Sequence, residues 1–209
     1  MKIKDNTKSY FLLFIIGILA GVICRLSDLL PYEESIWSFP SIATMFGCWI
    51  ASVGVITYMS SSNKGAFINS FLYMFGMTIS FYGLLYILGF YFPAFHNFGF
   101  RTELFLVYSI LSVVCAIGSF VLFYWNRDNL FNSVLLAMPT SGMLAETIGC
   151  IVMLINHRML LAQTIFDFSF ALWLGVMGFK KAKNKAIYLL TVAATTAFVY
   201  FVIYSNYLI

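Results

Sequence analysis

The feature that most constrains this chain is a series of long apolar segments separated by short polar connections. A helix crosses a hydrocarbon core of about 30 Å with about 20 residues, each adding about 1.5 Å. Seven segments approach that length, at about 10–29, 41–59, 66–92, 104–125, 130–155, 159–179 and 186–207. They are too long, and too apolar on all sides, for the alternating strands of a membrane barrel. Because backbone polar groups must be paired in lipid, we predict that each segment is a helix.

The composition agrees with a chain embedded in lipid. Hydrophobic residues make up 62% of the 209 residues and charged residues only 10%, whereas soluble domains average about 25% charged residues. A soluble fold would need a polar exterior that this chain does not supply. The sequence therefore predicts an all-α integral membrane protein, with residues 1–209 forming a single bundle of seven transmembrane helices.

The basic residues predict how the bundle is oriented. Nine lie on the side of the N-terminus (Lys2, Lys4, Lys8, Lys64, Arg127, Lys180, Lys181, Lys183 and Lys185), and three lie on the opposite side (Arg25, Arg101 and Arg158). Since Lys and Arg accumulate in cytoplasmic connections, we expect a multi-pass protein of the cell membrane with a cytoplasmic N-terminus and an external C-terminus. The net charge of +4 then needs no nucleic-acid partner, because anionic lipids attract these residues.

A short match between two stretches of the chain suggests an internal repeat. Residues 54–58 are followed by Asn63-Lys64, and residues 175–179 are followed at the same spacing by Asn184-Lys185. We interpret this as a 3+1+3 arrangement, with spans one to three and five to seven as related triplets and span four as a linker. Parallel repeats of this kind occur in several transporter folds.

Two acidic residues lie inside predicted spans. Glu146 is in span five and Asp167 is in span six, although a charge at the centre of a span costs roughly 2.5 kcal/mol or more. A tight turn at Asn156-His157 joins these spans, and each acid lies about ten residues from it. Both acids are therefore expected about 15 Å below the same end of two neighbouring helices. If they face each other, one carries a proton or a cation lies between them.

Other polar residues near these acids are candidate binding residues. Gln163 lies one helical turn from Asp167, on the same face. Pro139 lies about two turns before Glu146 and should kink span five, which would free a backbone carbonyl. Ser141 belongs to the polar stretch that follows this proline. Transporters bind substrates near interrupted helices at the midplane, so these residues are included in the candidate site.

Arg25 is the third candidate charge within the membrane. It could neutralise Glu146 or Asp167, and it would then belong to the same substrate-binding or ion-binding site. The alternatives are a local pair with Asp28 or a side chain that extends to the membrane surface. The two acids also have a structural alternative, in which each is hydrogen-bonded to a hydroxyl and fastens two helices together.

Known catalytic and cofactor motifs are absent from the sequence. It contains no H-E-x-x-H or G-x-S-x-G motif and no glycine-rich phosphate loop. The four cysteines are Cys24, Cys48, Cys115 and Cys150, and none forms a C-x-x-C pair that would suggest a metal site. We therefore predict a protein that is not an enzyme and that has no metal or cofactor.

Three functions remain open at this stage. The first is a secondary transporter, or a ligand-binding membrane subunit, whose acidic midplane site takes a small molecule or a cation. The second is a non-catalytic interaction protein, such as an immunity, sensor or assembly factor, which binds a membrane protein or a second copy of itself. The third is an intramembrane enzyme with an unfamiliar site built on the two acids. A polar cavity lined by Glu146 and Asp167 would favour the first.

Overall fold

The computed structural model describes residues 2–31, 35–92, 95 and 99–205. These residues form helices and no sheet. The helices are α1 (Thr7–Ser27), α2 (Ser41–Thr44), α3 (Phe46–Met59), α4 (Asn63–Leu88), α5 (Thr102–Leu122), α6 (Phe131–His157), α7 (Leu161–Lys181) and α8 (Lys185–Val199). A 3₁₀ turn, Phe123–Asn126, extends α5, and a π-helical turn, Tyr200–Tyr204, extends α8.

Six helices are long and apolar enough to cross a membrane, namely α1, α4, α5 with its 3₁₀ turn, α6, α7, and α8 with its π-helical turn. The all-helical architecture is thus confirmed for the described residues, and six of their helices could span a membrane. The count of seven spans is not confirmed, because the predicted second span is interrupted at Met45. That residue adopts an extended conformation, with φ −88° and ψ 162°. The 14 residues of α3 measure about 21 Å, less than the hydrocarbon core.

The chain divides into two compact units. The first comprises Met1–Leu29 and Val55–Phe123, and within it α4 packs against both α1 and α5. The second comprises Leu30–Gly54 and Tyr124–Ile209, and within it α6 packs against both α7 and α8. The 3+1+3 repeat is not confirmed, since α5, the predicted linker, packs on α4 and the residues of α3 are shared between the units. The single domain over residues 1–209 stays a prediction.

Glycines let α1 and α4 approach each other closely in the first unit. A Cβ atom on Gly17 would overlap the carbonyl oxygen of Tyr73, and one on Gly21 would overlap that of Met77. Gly76 of α4 would meet the backbone of α1 in the same way. Small residues spaced by four are the usual means by which membrane helices pack backbone against backbone. This contact holds the N-terminal helix in the unit.

The N-terminal segment lies beside the connection between α3 and α4. The Ile3 amide donates to the Met59 carbonyl at 2.7 Å, and the Lys2 ammonium donates to the Ser60 carbonyl at 3.2 Å. The Ser62 hydroxyl donates to the Asp5 carboxylate at 2.5 Å. These residues therefore share one end of the first unit. The side of the membrane that this end faces stays a prediction.

Hydroxyl groups join the helices in the interior of the first unit. The Ser119 hydroxyl lies 2.5 Å from the Thr57 hydroxyl and accepts from the Ser70 hydroxyl at 2.8 Å. It also lies 3.1 Å from the Ala66 carbonyl, to which it can donate. These three side chains are fully buried. Such bonds between helices replace the hydrophobic driving force that lipid does not provide.

We expect Gly17→Ala to destabilise the first unit, because the added methyl group overlaps the α4 backbone. The cost should be about 1–3 kcal/mol, as for other overpacked sites, although alanine is the better helix former. Thermal unfolding of the purified protein in detergent measures this change. Gly118→Ala is the matched control, since a Cβ on Gly118 meets no atom within 4 Å. Equal melting temperatures for the two variants would contradict the close contact.

Candidate functional site

The α6–α7 hairpin positions the two membrane acids. Its turn is tight because Arg158 and Leu160 adopt left-handed conformations, with φ 54° and 67°. The segment before α2 fixes this turn from outside the hairpin. The Leu161 amide donates to the Ile36 carbonyl at 2.9 Å, and the Leu160 amide donates to the Ser38 hydroxyl at 3.3 Å. The register between α6 and α7 is therefore set at this end.

Glu146 and Asp167 lie on either side of the Gln163 amide. The Gln163 Nε2 group donates to Glu146 Oε1 at 3.1 Å and contacts Asp167 Oδ1 and Oδ2 at 2.8 and 2.9 Å. All three side chains are 0% exposed. The structure thus brings together three of the residues that the sequence singled out, and one amide bridges both carboxyl groups. We call these residues, with Gly47, Cys150 and Tyr204, the acidic cluster.

Gly47 contributes a backbone donor that sequence reasoning missed. Its N–H donates to Glu146 Oε1 at 2.8 Å. Because α3 begins at Phe46, this N–H belongs to the first turn of the helix and has no partner within it. A helix N-terminus also favours a negative charge electrostatically. Because the apolar segment is interrupted at Met45, the start of α3 can reach a buried carboxyl group.

Tyr204 contributes a second donor that sequence reasoning missed. Its hydroxyl donates to Glu146 Oε2 at 2.5 Å, and its side chain is buried. Tyr204 ends the π-helical turn that follows α8. Such turns contain an extra residue, redirect the side chains after them and occur often at functional sites. The sequence offers no signal for this turn, because the apolar segment continues through it unchanged.

Gly47 and Cys150 complete the surroundings of Asp167. The Cys150 thiol lies 3.7 Å from Asp167 Oδ2, at the outer limit for a sulfur hydrogen bond. A Cβ atom on Gly47 would overlap Asp167 Oδ1 and would lie 3.0 Å from Gln163 Nε2. A larger residue at position 47 would therefore require the Asp167 carboxyl group or the Gln163 amide to move. A glycine early in an apolar segment was the available sequence signal, but the sequence does not reveal what it contacts.

The acidic cluster contains no basic group among the described residues. Among the described residues, the ion pairs are Arg25–Asp28 and Lys183–Asp128, and neither includes a member of the acidic cluster. The described residues also contain no group of three or more His, Cys, Asp and Glu side chains arranged to hold a metal ion. One acceptor, Gln163 Oε1, is buried and has no hydrogen-bond partner there. Two carboxyl groups and an unfilled acceptor suit a proton or a small cation.

Arg25 takes no part in the hydrogen bonds of the acidic cluster described above. Its guanidinium lies 2.5 Å from the Asp28 carboxylate and 3.6 Å from the centre of the Phe81 ring, all within the first unit. Burial raises the pKa of the Asp28 carboxyl, and the nearby Arg25 charge opposes that rise. The local pair, one of the alternatives for Arg25, is thus the arrangement observed.

Pro139 and Ser141 lie on α6 but have different neighbours from the acids. Helix α6 continues through Pro139, and the kink expected there stays a prediction. The Ser141 hydroxyl donates to the Ala137 carbonyl at 2.8 Å and lies 3.5 Å from the Val192 carbonyl of α8. Ser141 therefore joins α6 to α8.

Among the surface grooves of the described residues, one belongs to each unit. The first is lined by Lys64, Phe67, Ile68, Ile117 and Phe120, and the second by residues of α6, α7 and α8 that include Thr140, Gly175, Lys180 and Tyr188. Neither groove is lined by Glu146 or Asp167. The acidic cluster is closed in this conformation.

Comparison with known proteins gives no match, since no family model, no curated protein and no solved structure is similar to this chain. The class that the fold defines is that of a helical protein with six helices that could span a membrane. Its function must be argued from the acidic cluster itself.

We expect Gly47→Ala to disrupt the acidic cluster, because the new methyl group must displace the Asp167 carboxyl or the Gln163 amide. The loss of stability should be about 1–3 kcal/mol, measured by thermal unfolding in detergent. Gly54→Ala on the same helix is the matched control, since its Cβ would lie 3.8 Å from the nearest atom, in Leu174. A Gly47→Ala protein as stable as this control would contradict the close contact.

Proposed function

We propose that the chain is a small multi-pass transporter, or a ligand-binding membrane subunit, in which the acidic cluster binds a proton or a monovalent cation. Binding there would be coupled to a change between the closed conformation and one in which the cluster is accessible. The substrate that moves with the ion is a small molecule or the cation itself. The proposal involves no catalytic step.

The charge balance of the cluster is the observation that carries this proposal. Ionised Glu146 and Asp167 would place two negative charges around one neutral amide, without a basic partner among the described residues. Burying an ion costs several kcal/mol even when it is hydrogen-bonded, and two like charges add their repulsion. A proton on one carboxyl group, or a bound cation, removes one of these charges, and the unpartnered Gln163 Oε1 is an oxygen that could coordinate a cation.

The number of elements that meet at Glu146 supports the coupling. Its carboxyl group receives hydrogen bonds from α3, α7 and the π-helical turn, at Gly47, Gln163 and Tyr204. A change in its charge therefore alters the bonding of three elements at once. In transporters, half-length helices point their positive N-termini at anionic groups of the substrate, and α3, a helix of 14 residues, points its N-terminus at the carboxyl group of Glu146. We propose that it enters the membrane without crossing it as a regular span.

The basic residues support a location in a cell membrane with the N-terminus in the cytoplasm. The alternative function is a non-catalytic interaction protein, in which the acids only fasten helices together. The complete burial of the acidic cluster and its separation from both grooves favour this alternative. The two functions differ in whether the cluster ever opens to water.

Cys150 is a native reporter for this opening, because its thiol is buried beside Asp167. We expect Cys150 to react slowly with a hydrophilic, membrane-impermeant thiol reagent. Its rate, divided by that of a small free thiol under the same conditions because the thiolate is the reactive form, should change several-fold with pH or with the sodium concentration. The protein should carry Ser in place of Cys24, Cys48 and Cys115 and be reconstituted in lipid. Mass spectrometry of the labelled protein measures the rate.

Glu146→Gln should remove most of the pH or sodium dependence, because it fixes one carboxyl group in a neutral form. Glu103→Gln is the control, since that acid is exposed at the start of α5. If folded protein leaves Cys150 unreactive at every pH and sodium concentration, the interaction protein is favoured and the transporter is rejected. A dependence that survives in Glu146→Gln would place the ion elsewhere.

A further inference from the structure

The groove of the second unit has the dimensions of a site for one lipid chain. Its volume is about 390 Å³, and it follows one face of α7 from Phe168 to Lys180. The exposed side chains of Phe168, Leu172 and Val176 form its wall, with 55%, 58% and 47% of their surfaces accessible. Twelve residues of helix rise about 18 Å, which is slightly more than one leaflet of a hydrocarbon core of about 30 Å.

The floor of this groove is shaped by a glycine and by paired hydroxyl groups. The Tyr188 hydroxyl donates to the Gly175 carbonyl at 3.2 Å and lies 3.2 Å from the Thr140 hydroxyl. Both hydroxyl groups therefore have partners within the protein. A Cβ on Gly175 would lie 3.6 Å from Thr140 Cγ2, in ordinary contact. A larger side chain at this position would extend into the groove and fill it.

Lys180 supplies a positive charge at the end of the groove. The other lysines of this connection are bonded within the protein, Lys181 to Asn126, Lys183 to Asp128, and Lys185 to carbonyl groups at the end of α7. In the described part of the chain, the Lys180 ammonium has no hydrogen bond or ion pair. It lies at the end of a membrane-length helix, where lipid headgroups are found.

We propose that this groove binds an anionic phospholipid, with one acyl chain along α7 and the phosphate at Lys180. The apolar wall matches the chain, and the free ammonium complements a headgroup with a net negative charge. A zwitterionic headgroup gains less from Lys180, because it carries its own cation. The occupant is thus a membrane lipid chosen by its charge, and its binding does not depend on the acidic cluster.

Native mass spectrometry of the full-length protein, titrated with phosphatidylglycerol or phosphatidylcholine, tests the proposal. All proteins should carry Lys64→Gln, because Lys64 lines the apolar groove of the first unit. Lys180→Gln should weaken phosphatidylglycerol binding about fivefold, as expected for one basic residue near the surface, and leave phosphatidylcholine binding unchanged. Lys181→Gln removes the same charge from a lysine that is bonded to Asn126, so it should have little effect.

Two further measurements separate the groove from a simple charge effect. Gly175→Leu should weaken the binding of both lipids, provided that its helical circular dichroism matches that of the parent protein. Inorganic phosphate should not displace phosphatidylglycerol. Equal losses in Lys180→Gln and Lys181→Gln, or no preference between the lipids in the Lys64→Gln parent, would overturn the proposal. Displacement by phosphate alone would show an ion site without a lipid, and unchanged lipid binding in folded Gly175→Leu would exclude the groove.

Discussion

The packing of the second unit depends on the hydrogen bonds made to one carboxyl group that has no access to water. Glu146 is fully buried, and its two oxygens accept from Gly47, Gln163 and Tyr204. An unpartnered polar group in such a place costs several kcal/mol. This requirement ties together elements that are far apart in sequence, the start of α3, the α6–α7 hairpin and the π-helical turn after α8. The irregular features of the second unit are those that deliver these donors.

The helices of the first unit are held together by different contacts. Its α1–α4 contact rests on glycines that bring two backbones together, and its interior adds a hydroxyl network around Ser119. These groups are neutral, so burying them requires no bound ion. The described interior contacts of the first unit thus rest mainly on packing and neutral hydroxyl groups, whereas the second unit contains the two carboxyl groups of the acidic cluster. The proposed ion coupling and the proposed lipid site both belong to the second unit.

Counting residues from a turn was enough to predict much of the acidic cluster. Glu146 and Asp167 lie at equal distances from the α6–α7 turn, and Gln163 lies one turn from Asp167, so helix geometry places them at similar depth. Pro139, Ser141 and Arg25 were also included in the candidate site, but they take no part in the hydrogen bonds described for the acidic cluster. A proline destabilises a helix, but contacts with neighbouring helices decide whether the helix stays continuous. The Ser141 hydroxyl donates to the Ala137 carbonyl, and Arg25 forms an ion pair with Asp28.

The sequence by itself determined the apolar lengths, the all-helical class and the matched depth of the two acids along one hairpin. These follow from local periodicity and from the cost of unpaired backbone groups in lipid. Tertiary structure alone decided that the second span would be interrupted at Met45, that a π-helical turn would aim Tyr204 at Glu146, and that Gly47 would touch the Asp167–Gln163 pair. Helix rotation and helix breaks depend on contacts between residues about 60 to 120 positions apart in the chain. No local pattern encodes such contacts, so the same apolar segment can be a full span or a half-length helix.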